Sequence, residues 1–172
     1  MFATILLPDF HLQATLRHET ETTRPIALID DRETRAVVTQ LNAAAEKVGV
    51  RRGMTPSQGL ARCLELVVKT RTREQERLLG ELLLQFSYTL SPYVEATGPG
   101  VCTVQFTGTR NLRTEVERVI EQFCETSITA RGGIGPTPDM SLLAAHFARP
   151  VLQVGDTKTF LASLSIETLA VA

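Results

Sequence analysis

The chain has 172 residues, of which 43% are hydrophobic and 22% are charged, a balance typical of a soluble globular protein. A formal net charge of −1 excludes the basic excess of a dedicated nucleic-acid binder, so we expect DNA binding by this chain to be weak. Charged residues interrupt every apolar run well before the length of a membrane span, so we expect no membrane partner. The three cysteines form no CxxC pair, so we expect a reduced, cytoplasmic protein.

Apolar periodicity divides the chain into short strands and amphipathic helices. The predicted strands are 3–7, 24–29, 36–39, 66–68, 101–106, 128–130 and 151–154. The predicted helices are 10–16, 43–48, 56–63, 74–88, 112–123, 140–147 and 157–164. This order predicts an α+β fold in which a mixed sheet carries helices on one face, as in ferredoxin-like domains.

The stretch from Val94 to Phe106 is the expected centre of that sheet. Its second half alternates as a half-buried strand should, with one face formed by Val101, Thr103 and Gln105 and the other by Cys102, Val104 and Phe106. A metal-dependent enzyme of this architecture would place carboxylates here, because neighbouring strands bring distant acids together. The stretch contains no acid after Glu95.

Polar residues ahead of several predicted helices have capping as the simplest interpretation. Thr55 and Gln58 form a capping box around Pro56, which predicts a helix start there. Asp9, Asn111 and Asp139 also stand where caps are expected, although Asp9 has metal ligation as an alternative.

The remaining polar candidates give no metal site. Asp30 and Asp31 are interpreted as an exposed turn pair. The three histidines, His11, His18 and His146, have no ligand spacing with one another.

Four groups of residues follow one another in an order and at spacings that match a known family. They are Val38-Thr39 with Asn42–Ala45, Gly49–Met54, Ala61–Cys63 and Leu66; Val94-Glu95; Gly133–Thr137 with Arg149-Pro150; and Phe160-Leu161 with Leu164. The set resembles the fingers, the second catalytic strand, the palm and the thumb entry of Y-family (UmuC/DinB-like) translesion DNA polymerases. The resemblance implies a ferredoxin-like palm formed by residues 1–10 and 77–165, a small inserted fingers lobe at 11–76, and the start of a missing thumb at 166–172.

The catalytic carboxylates of this family do not carry over. The resemblance places them at Leu7, Gly100 and Val101, none of which has a side-chain oxygen. Two-metal phosphoryl transfer needs carboxylates that hold the Mg²⁺ ions, because the ions neutralise the charge that develops on the phosphate. The resemblance therefore predicts a protein without catalytic residues, metal or cofactor, which is not an enzyme.

The family's substrate-holding residues are replaced as well. Its fingers Tyr and Arg, which hold the triphosphate, fall on Ala43 and Glu46, and its palm Lys falls on Pro138. The aromatic gate near the sugar falls on Leu12. Asp9 is the only surviving acid of the first motif. Glu95 lies six residues before Val101, or roughly 20 Å along an extended strand, so we expect it to be too distant to share a metal.

This pattern is similar to the catalytically inactive ImuB-type homologues, whose first motif resembles Leu7-Pro8-Asp9-Phe10. The resemblance implies a scaffold in DNA repair and damage-induced mutagenesis. Its implied partners are an error-prone C-family polymerase, a RecA-like accessory protein and a sliding clamp.

Two other functions stay open at this point. One is an active nucleotidyl transferase that uses Mg²⁺ and a rearranged acid set around Asp9. The other is a ferredoxin-like small-molecule-binding domain that only mimics the polymerase motifs. A ligand pocket distant from the polymerase-like site would favour the second alternative.

Overall fold

The computed structural model describes residues 1–19, 23–30, 36–108 and 111–165, which fall into two compact units. The discontinuous unit comprises Met1–Pro8 and Leu79–Ala172, and the insert unit comprises Asp9–Leu78. The strands are β1 (Phe2–Leu6), β2 (Ile26–Ile29), β3 (Val38–Leu41), β4 (Val67–Thr70), β5 (Val94–Gly98), β6 (Val101–Gln105), β7 (Arg131–Gly135) and β8 (Val151–Gln153). The helices are α1 (Phe10–Leu16), α2 (Ala43–Lys47), α3 (Pro56–Arg62), α4 (Arg73–Tyr88), α5 (Leu112–Glu125), α6 (Pro138–Phe147) and α7 (Thr157–Ala162).

The discontinuous unit is built on a five-stranded sheet with the strand order β5-β6-β1-β7-β8. The first strand of the chain, β1, lies at its centre and pairs antiparallel with β6 on one side and with β7 on the other. The last pair, β7 and β8, is parallel. The N-terminal strand is therefore fully enclosed, which explains why Ala3, Ile5 and Leu7 are buried.

Helices cover both faces of this sheet. A Cβ added to Gly132 would approach Val116 and Ile120 of α5, whereas one added to Gly133 would meet the backbone of α6. Because successive strand residues point to opposite faces, α5 and α6 lie on opposite sides of β7. Phe86 of α4 packs edge-on against Phe123 of α5, with ring centroids 4.8 Å apart, so α4 shares the α5 face.

The insert unit has a three-stranded sheet with the order β3-β2-β4, in which β2 is antiparallel to β3 and parallel to β4. Alternation along β2 divides its core in two. Ala27 packs with one apolar cluster, formed with Val38, Ala45, Val50 and Leu66. Ile26 and Leu28 pack with Leu12 of α1 in the other.

The predicted capping box is confirmed, whereas the side-chain caps expected at Asp9, Asn111 and Asp139 are wrong. Thr55 Oγ1 accepts the Gln58 N–H and Gln58 Oε1 accepts the Thr55 N–H, so the capping box is present, and α2 ends before Gly49 as expected. Asp9 and Asn111 precede α1 and α5 in left-handed conformations without a side-chain cap bond. At α6, Thr137 rather than Asp139 accepts the N–H of Met140.

The predicted α+β class with a ferredoxin-like palm and a small insert is confirmed, and α6 adds a helix to the second sheet face. The assignment of the two units to palm and fingers stays a prediction, and the proposed thumb start at 166–172 lies outside the described residues. None of the described helices is both long enough and apolar enough to cross a membrane.

Candidate functional site

The three positions assigned to catalytic carboxylates meet at one end of the β1–β6 pair. Leu6 stands opposite Val101, and the Leu7 N–H donates to the Gly100 carbonyl oxygen at 2.8 Å. The structure therefore brings together residues that lie 93 positions or more apart in the sequence. Their identification as the family's metal-ligand positions stays a prediction.

The side chains at this junction do not fit a magnesium ion. Leu7 is 1% exposed and buries its alkyl side chain, while Gly100 has no side chain and its carbonyl oxygen already accepts a hydrogen bond. Val101 adds a second alkyl group. Magnesium in proteins is held by oxygen ligands, chiefly carboxylates. Within the described ranges, moreover, no three His, Cys, Asp or Glu side chains are grouped so that they could hold a metal ion.

The surviving acid, Asp9, is held by an arginine of its own unit. Its φ is 47°, in the left-handed region, and its Oδ1 accepts a hydrogen bond from Arg52 Nη2 at 2.6 Å. The pair is solvated, with 39% of the Asp9 side chain and 64% of the Arg52 side chain exposed. The Asp9 carboxylate is therefore in an ion pair instead of capping α1, and any divalent cation would compete with a guanidinium.

The positions assigned to triphosphate and sugar contacts are spread over several elements. Ala43 and Glu46 are both exposed on α2, and Leu12 is buried in the core of the insert unit. Pro138 is the first residue of α6, just after the end of β7 that pairs with Phe2. Along β1, that end of the sheet is opposite to Leu7, so the Pro138 and Leu7 positions occupy different ends of the discontinuous unit.

Glu95 does not lie where an extended chain would place it. Gly98 and Gly100 flank a reversal that pairs β5 antiparallel with β6, and Glu95 stands opposite Thr103. The expected separation of roughly 20 Å from Val101 was therefore wrong, because it assumed a strand that continues through Pro99. The Gly-Pro-Gly sequence was the available signal for this hairpin.

A compact charge cluster in the insert unit was also missed at the level of sequence. Arg71 donates from Nε and Nη2 to the two Glu76 oxygens at 2.8 and 2.7 Å, and from Nη1 to Asp30 at 2.7 Å. Arg73 Nη2 also donates to Asp30 at 2.7 Å, and His11 Nδ1 lies 3.0 Å from Arg71 Nη2. Asp30, expected in an exposed turn, is only 6% exposed, while Asp31 lies outside the described residues.

Burial shifts the titration of this charge cluster. It lowers the pKa of His11 below its ordinary 6.5, an effect only partly offset by the Glu76 charge. Burial alone would raise the pKa of Glu76, but the Arg71 hydrogen bonds and the charges of His11, Arg71 and Arg73 hold it below its ordinary 4.5. Above pH 6.5 the cluster therefore holds a neutral His11 and an ionised Glu76, and His11 carries its charge only at lower pH.

A family model described as impB/mucB/samB matches residues 7–146, most of the chain, and the chain belongs to this family. It is 24% identical over 155 residues to a DNA polymerase IV of Ralstonia nicotianae, covering 85% of this chain and 43% of that protein.

Solved structures show the same fold. A Dbh DNA polymerase in a post-insertion binary complex matches 97% of this chain and 52% of its own, with a TM-score of 0.85 and 16% identity. DinB from Sulfolobus solfataricus matches 98% and 53%, with a TM-score of 0.80 and 15% identity. A Y-family DNA polymerase chimera gives a TM-score of 0.82. The chain thus spans about half the length of the relatives it matches.

These comparisons confirm the resemblance to Y-family polymerases and contradict one expectation. The sequence predicted that the chain is not an enzyme, but the relatives are named DNA polymerases, so its family is one of enzymes. Closeness to the ImuB type is not shown. Because the chain belongs to the family, its motifs are not mimicry, which argues against the small-molecule-binding domain even though the discontinuous unit has cavities that neither Leu7 nor Gly100 lines.

Proposed function

We propose that the chain acts in DNA damage tolerance, where it supplies the palm and fingers of a Y-family polymerase-like protein and holds DNA and partner proteins together. The observation that supports this most directly is the family match over residues 7–146, combined with the fold of a Dbh DNA polymerase over nearly the whole chain. The partners proposed from the resemblance are the C-family polymerase, the RecA-like accessory protein and the sliding clamp.

Binding measurements test the proposed role of holding DNA and partner proteins together. The chain is immobilised, and the three proposed partners and a primer–template DNA are passed over it separately, with heat-unfolded chain as the reference surface. We expect saturable binding of DNA at low salt and of at least one protein partner. Failure of all four ligands to bind the folded chain would contradict the proposal.

Nucleotidyl transfer is the second candidate, and the names of the relatives favour it. The acid available for it is Asp9, whose carboxylate is partly exposed and paired only with a solvated arginine among the described residues. Calorimetric titration with Mg²⁺ and a non-hydrolysable deoxynucleoside triphosphate tests this candidate. Saturable binding that disappears in Asp9→Ala supports an Asp9-centred site, whereas unchanged binding in that variant excludes it.

A further inference from the structure

The α6 face of the sheet carries a cavity of about 270 Å³ in the discontinuous unit. Its floor consists of two neighbouring rows of the sheet, in which Phe2 stands opposite Gln105 and Glu95 stands opposite Thr103. Tyr93 and Thr97 complete the side next to β5. This cavity is at the Phe2 end of β1, away from the junction of Leu7 with Gly100, and none of the assigned catalytic positions lines it.

The polar groups of this cavity are available to a ligand. Thr103 is 9% exposed, yet its hydroxyl lies 3.4 Å from both the Thr4 and the Thr97 hydroxyls, longer than an ordinary O–H···O bond. Thr4 instead has its short contact, 2.7 Å, with Ser141 of α6. Among the described residues, neither the Glu95 carboxylate nor the Gln105 side-chain amide has a hydrogen-bond or ion-pair partner. Since both of its contacts are long, the Thr103 hydroxyl can form a shorter hydrogen bond with a polar group placed in the cavity.

The chemistry of the walls limits the ligand. No lysine or arginine is among the described residues that line the cavity, and Pro138 stands at its edge, so a phosphate would meet the negative charge of Glu95 without a cation. A carboxylate only accepts hydrogen bonds and therefore selects an N–H or O–H donor. Phe2 and Tyr93 offer aromatic rings, and Tyr93 is 58% exposed. A flat, uncharged group with an amino donor fits these walls.

We propose that this cavity binds one unstacked nucleobase with an exocyclic amino group, presented by single-stranded DNA. The base lies against Tyr93, its amino group donates to the Glu95 carboxylate, and Gln105 and Thr103 hydrogen-bond its remaining polar edge. The volume suits a single base, since it lies just below the range of pockets for drug-sized ligands. This proposal rests on the proposed function in DNA damage tolerance, and it adds a base-reading site to the palm-like sheet.

The protein contains its own optical reporter for this site. It has no tryptophan and two tyrosines, Tyr88 and Tyr93. The variant Tyr88→Phe leaves Tyr93 as the sole source of tyrosine emission, and a base stacked on Tyr93 quenches that emission. In this background we titrate single-stranded oligonucleotides of about eight nucleotides, oligo-dC and oligo-dT. The two pyrimidines are similar in size, but only cytosine has an exocyclic amino donor.

We expect oligo-dC to quench Tyr93 and to bind about tenfold more tightly than oligo-dT, the ratio given by one hydrogen bond to a charged group. Glu95→Gln should abolish most of this preference. The matched control is Glu125→Gln, which removes one exposed glutamate at the end of α5 that has no partner among the described residues. The control removes the same charge, so it should strengthen binding of both oligonucleotides and keep their ratio.

Equal affinities for the two oligonucleotides, or an unchanged ratio in Glu95→Gln, would overturn the proposal. If neither oligonucleotide binds while primer–template DNA still does, the base pocket is wrong and the proposed function stands. If primer–template DNA and all three proposed protein partners also fail to bind, both are wrong.

Discussion

At the scale of single residues, Arg71 is the side chain on which the insert unit depends most. It bonds two carboxylates that are themselves almost completely buried, Asp30 and Glu76. The Coulomb attraction within such a cluster mainly offsets the cost of removing the charges from water, so the cluster adds little stability over an apolar replacement. Removing one member is different, because it leaves a buried charge without its partner.

We therefore expect Arg71→Ala to lower the free energy of unfolding by about 3 kcal/mol. The reason is that both Asp30 and Glu76 lose their main donor, although Arg73 still reaches them. Urea denaturation measures the change. Arg118→Ala is the matched control, because Arg118 forms an exposed pair with Glu115 one turn away on α5, and its loss should cost less than about 0.5 kcal/mol.

His11 gives the same cluster a pH dependence. Its pKa is lowered in the folded state, so the unfolded chain binds more protons at this residue and stability falls as the pH drops below 6.5. Glu76, whose folded pKa is also lowered, contributes stability above its ordinary 4.5 that is lost as the pH falls through the folded value. As the pH falls, the protein therefore loses stability first through protonation of His11 and then, in a lower pH range, through protonation of Glu76.

We expect His11→Gln to flatten the stability profile between about pH 6.5 and 5 and to leave the loss at lower pH in place. Thermal unfolding across this range measures the profile. His146→Gln is the comparison, since burial and the Arg131 charge lower the pKa of His146 as well, so it should remove a separate part of the same slope. A slope unchanged by His11→Gln would contradict the role given to the cluster.

At the scale of elements, β7 has few side chains, because three of its five residues are glycine. A Cβ on Gly133 would lie 2.1 Å from the Ala145 nitrogen and from the Ser141 carbonyl oxygen. Both are backbone atoms of α6 and cannot move aside. The glycines therefore allow α6 to lie directly on the strand, which also brings Ser141 to Thr4.

We expect Gly133→Ala to cost about 3 kcal/mol or more, or to prevent folding, because α6 must be displaced. Gly80→Ala on α4 is the matched control. A Cβ there meets nothing within 4 Å, so the change should stabilise the helix by about 0.5–1 kcal/mol. Denaturation midpoints of the two variants should move in opposite directions, and a Gly133→Ala variant of normal stability would contradict the close packing.

The helix starts also show which sequence signals were sufficient to predict local structure. The Thr55–Gln58 capping box was predictable because both of its bonds are local. Asp9 was mistaken for a cap because its competing partner, Arg52, is 43 residues away. The candidate functional site was likewise predictable only in part. The meeting of Leu7 with Gly100 followed from the resemblance, whereas the Arg71 cluster and the Glu95 pocket depend on tertiary contacts that no local pattern encodes.

At the scale of the whole molecule, an overall charge of −1 conceals an uneven distribution. The insert unit contains 12 of the 18 Lys and Arg residues and 10 of the 19 Asp and Glu residues, so its net charge is +2, whereas that of the discontinuous unit is −3. Several of these cations are engaged, Arg52 with Asp9 and Arg71 with Glu76. Arg62, at the end of α3, is exposed and has no side-chain partner among the described residues.

We expect primer–template DNA to bind weakly and chiefly through the insert unit. Arg62→Gln should lower the affinity about two- to fivefold at low salt and reduce the slope of log affinity against log salt concentration by up to about one, as the loss of one phosphate contact does. Arg149→Gln, at an exposed arginine of the discontinuous unit, is the control and should change neither quantity. Fluorescence anisotropy at several salt concentrations measures both. An equal loss in the two variants would contradict the assignment to the insert unit.

The central place of β1 has a consequence for biosynthesis. Phe2 pairs with Gln105 and Gly135, so during synthesis β1 can complete its sheet only after more than a hundred further residues have been made. At about 5–20 residues per second, the apolar segment Phe2–Leu7 is left without its sheet partners for roughly 5 to 25 seconds. The strands of the insert unit, by contrast, pair only with one another, so its sheet can form during that interval. During synthesis the apolar segment Phe2–Leu7 therefore stays without its sheet partners while the sheet of the insert unit can already form.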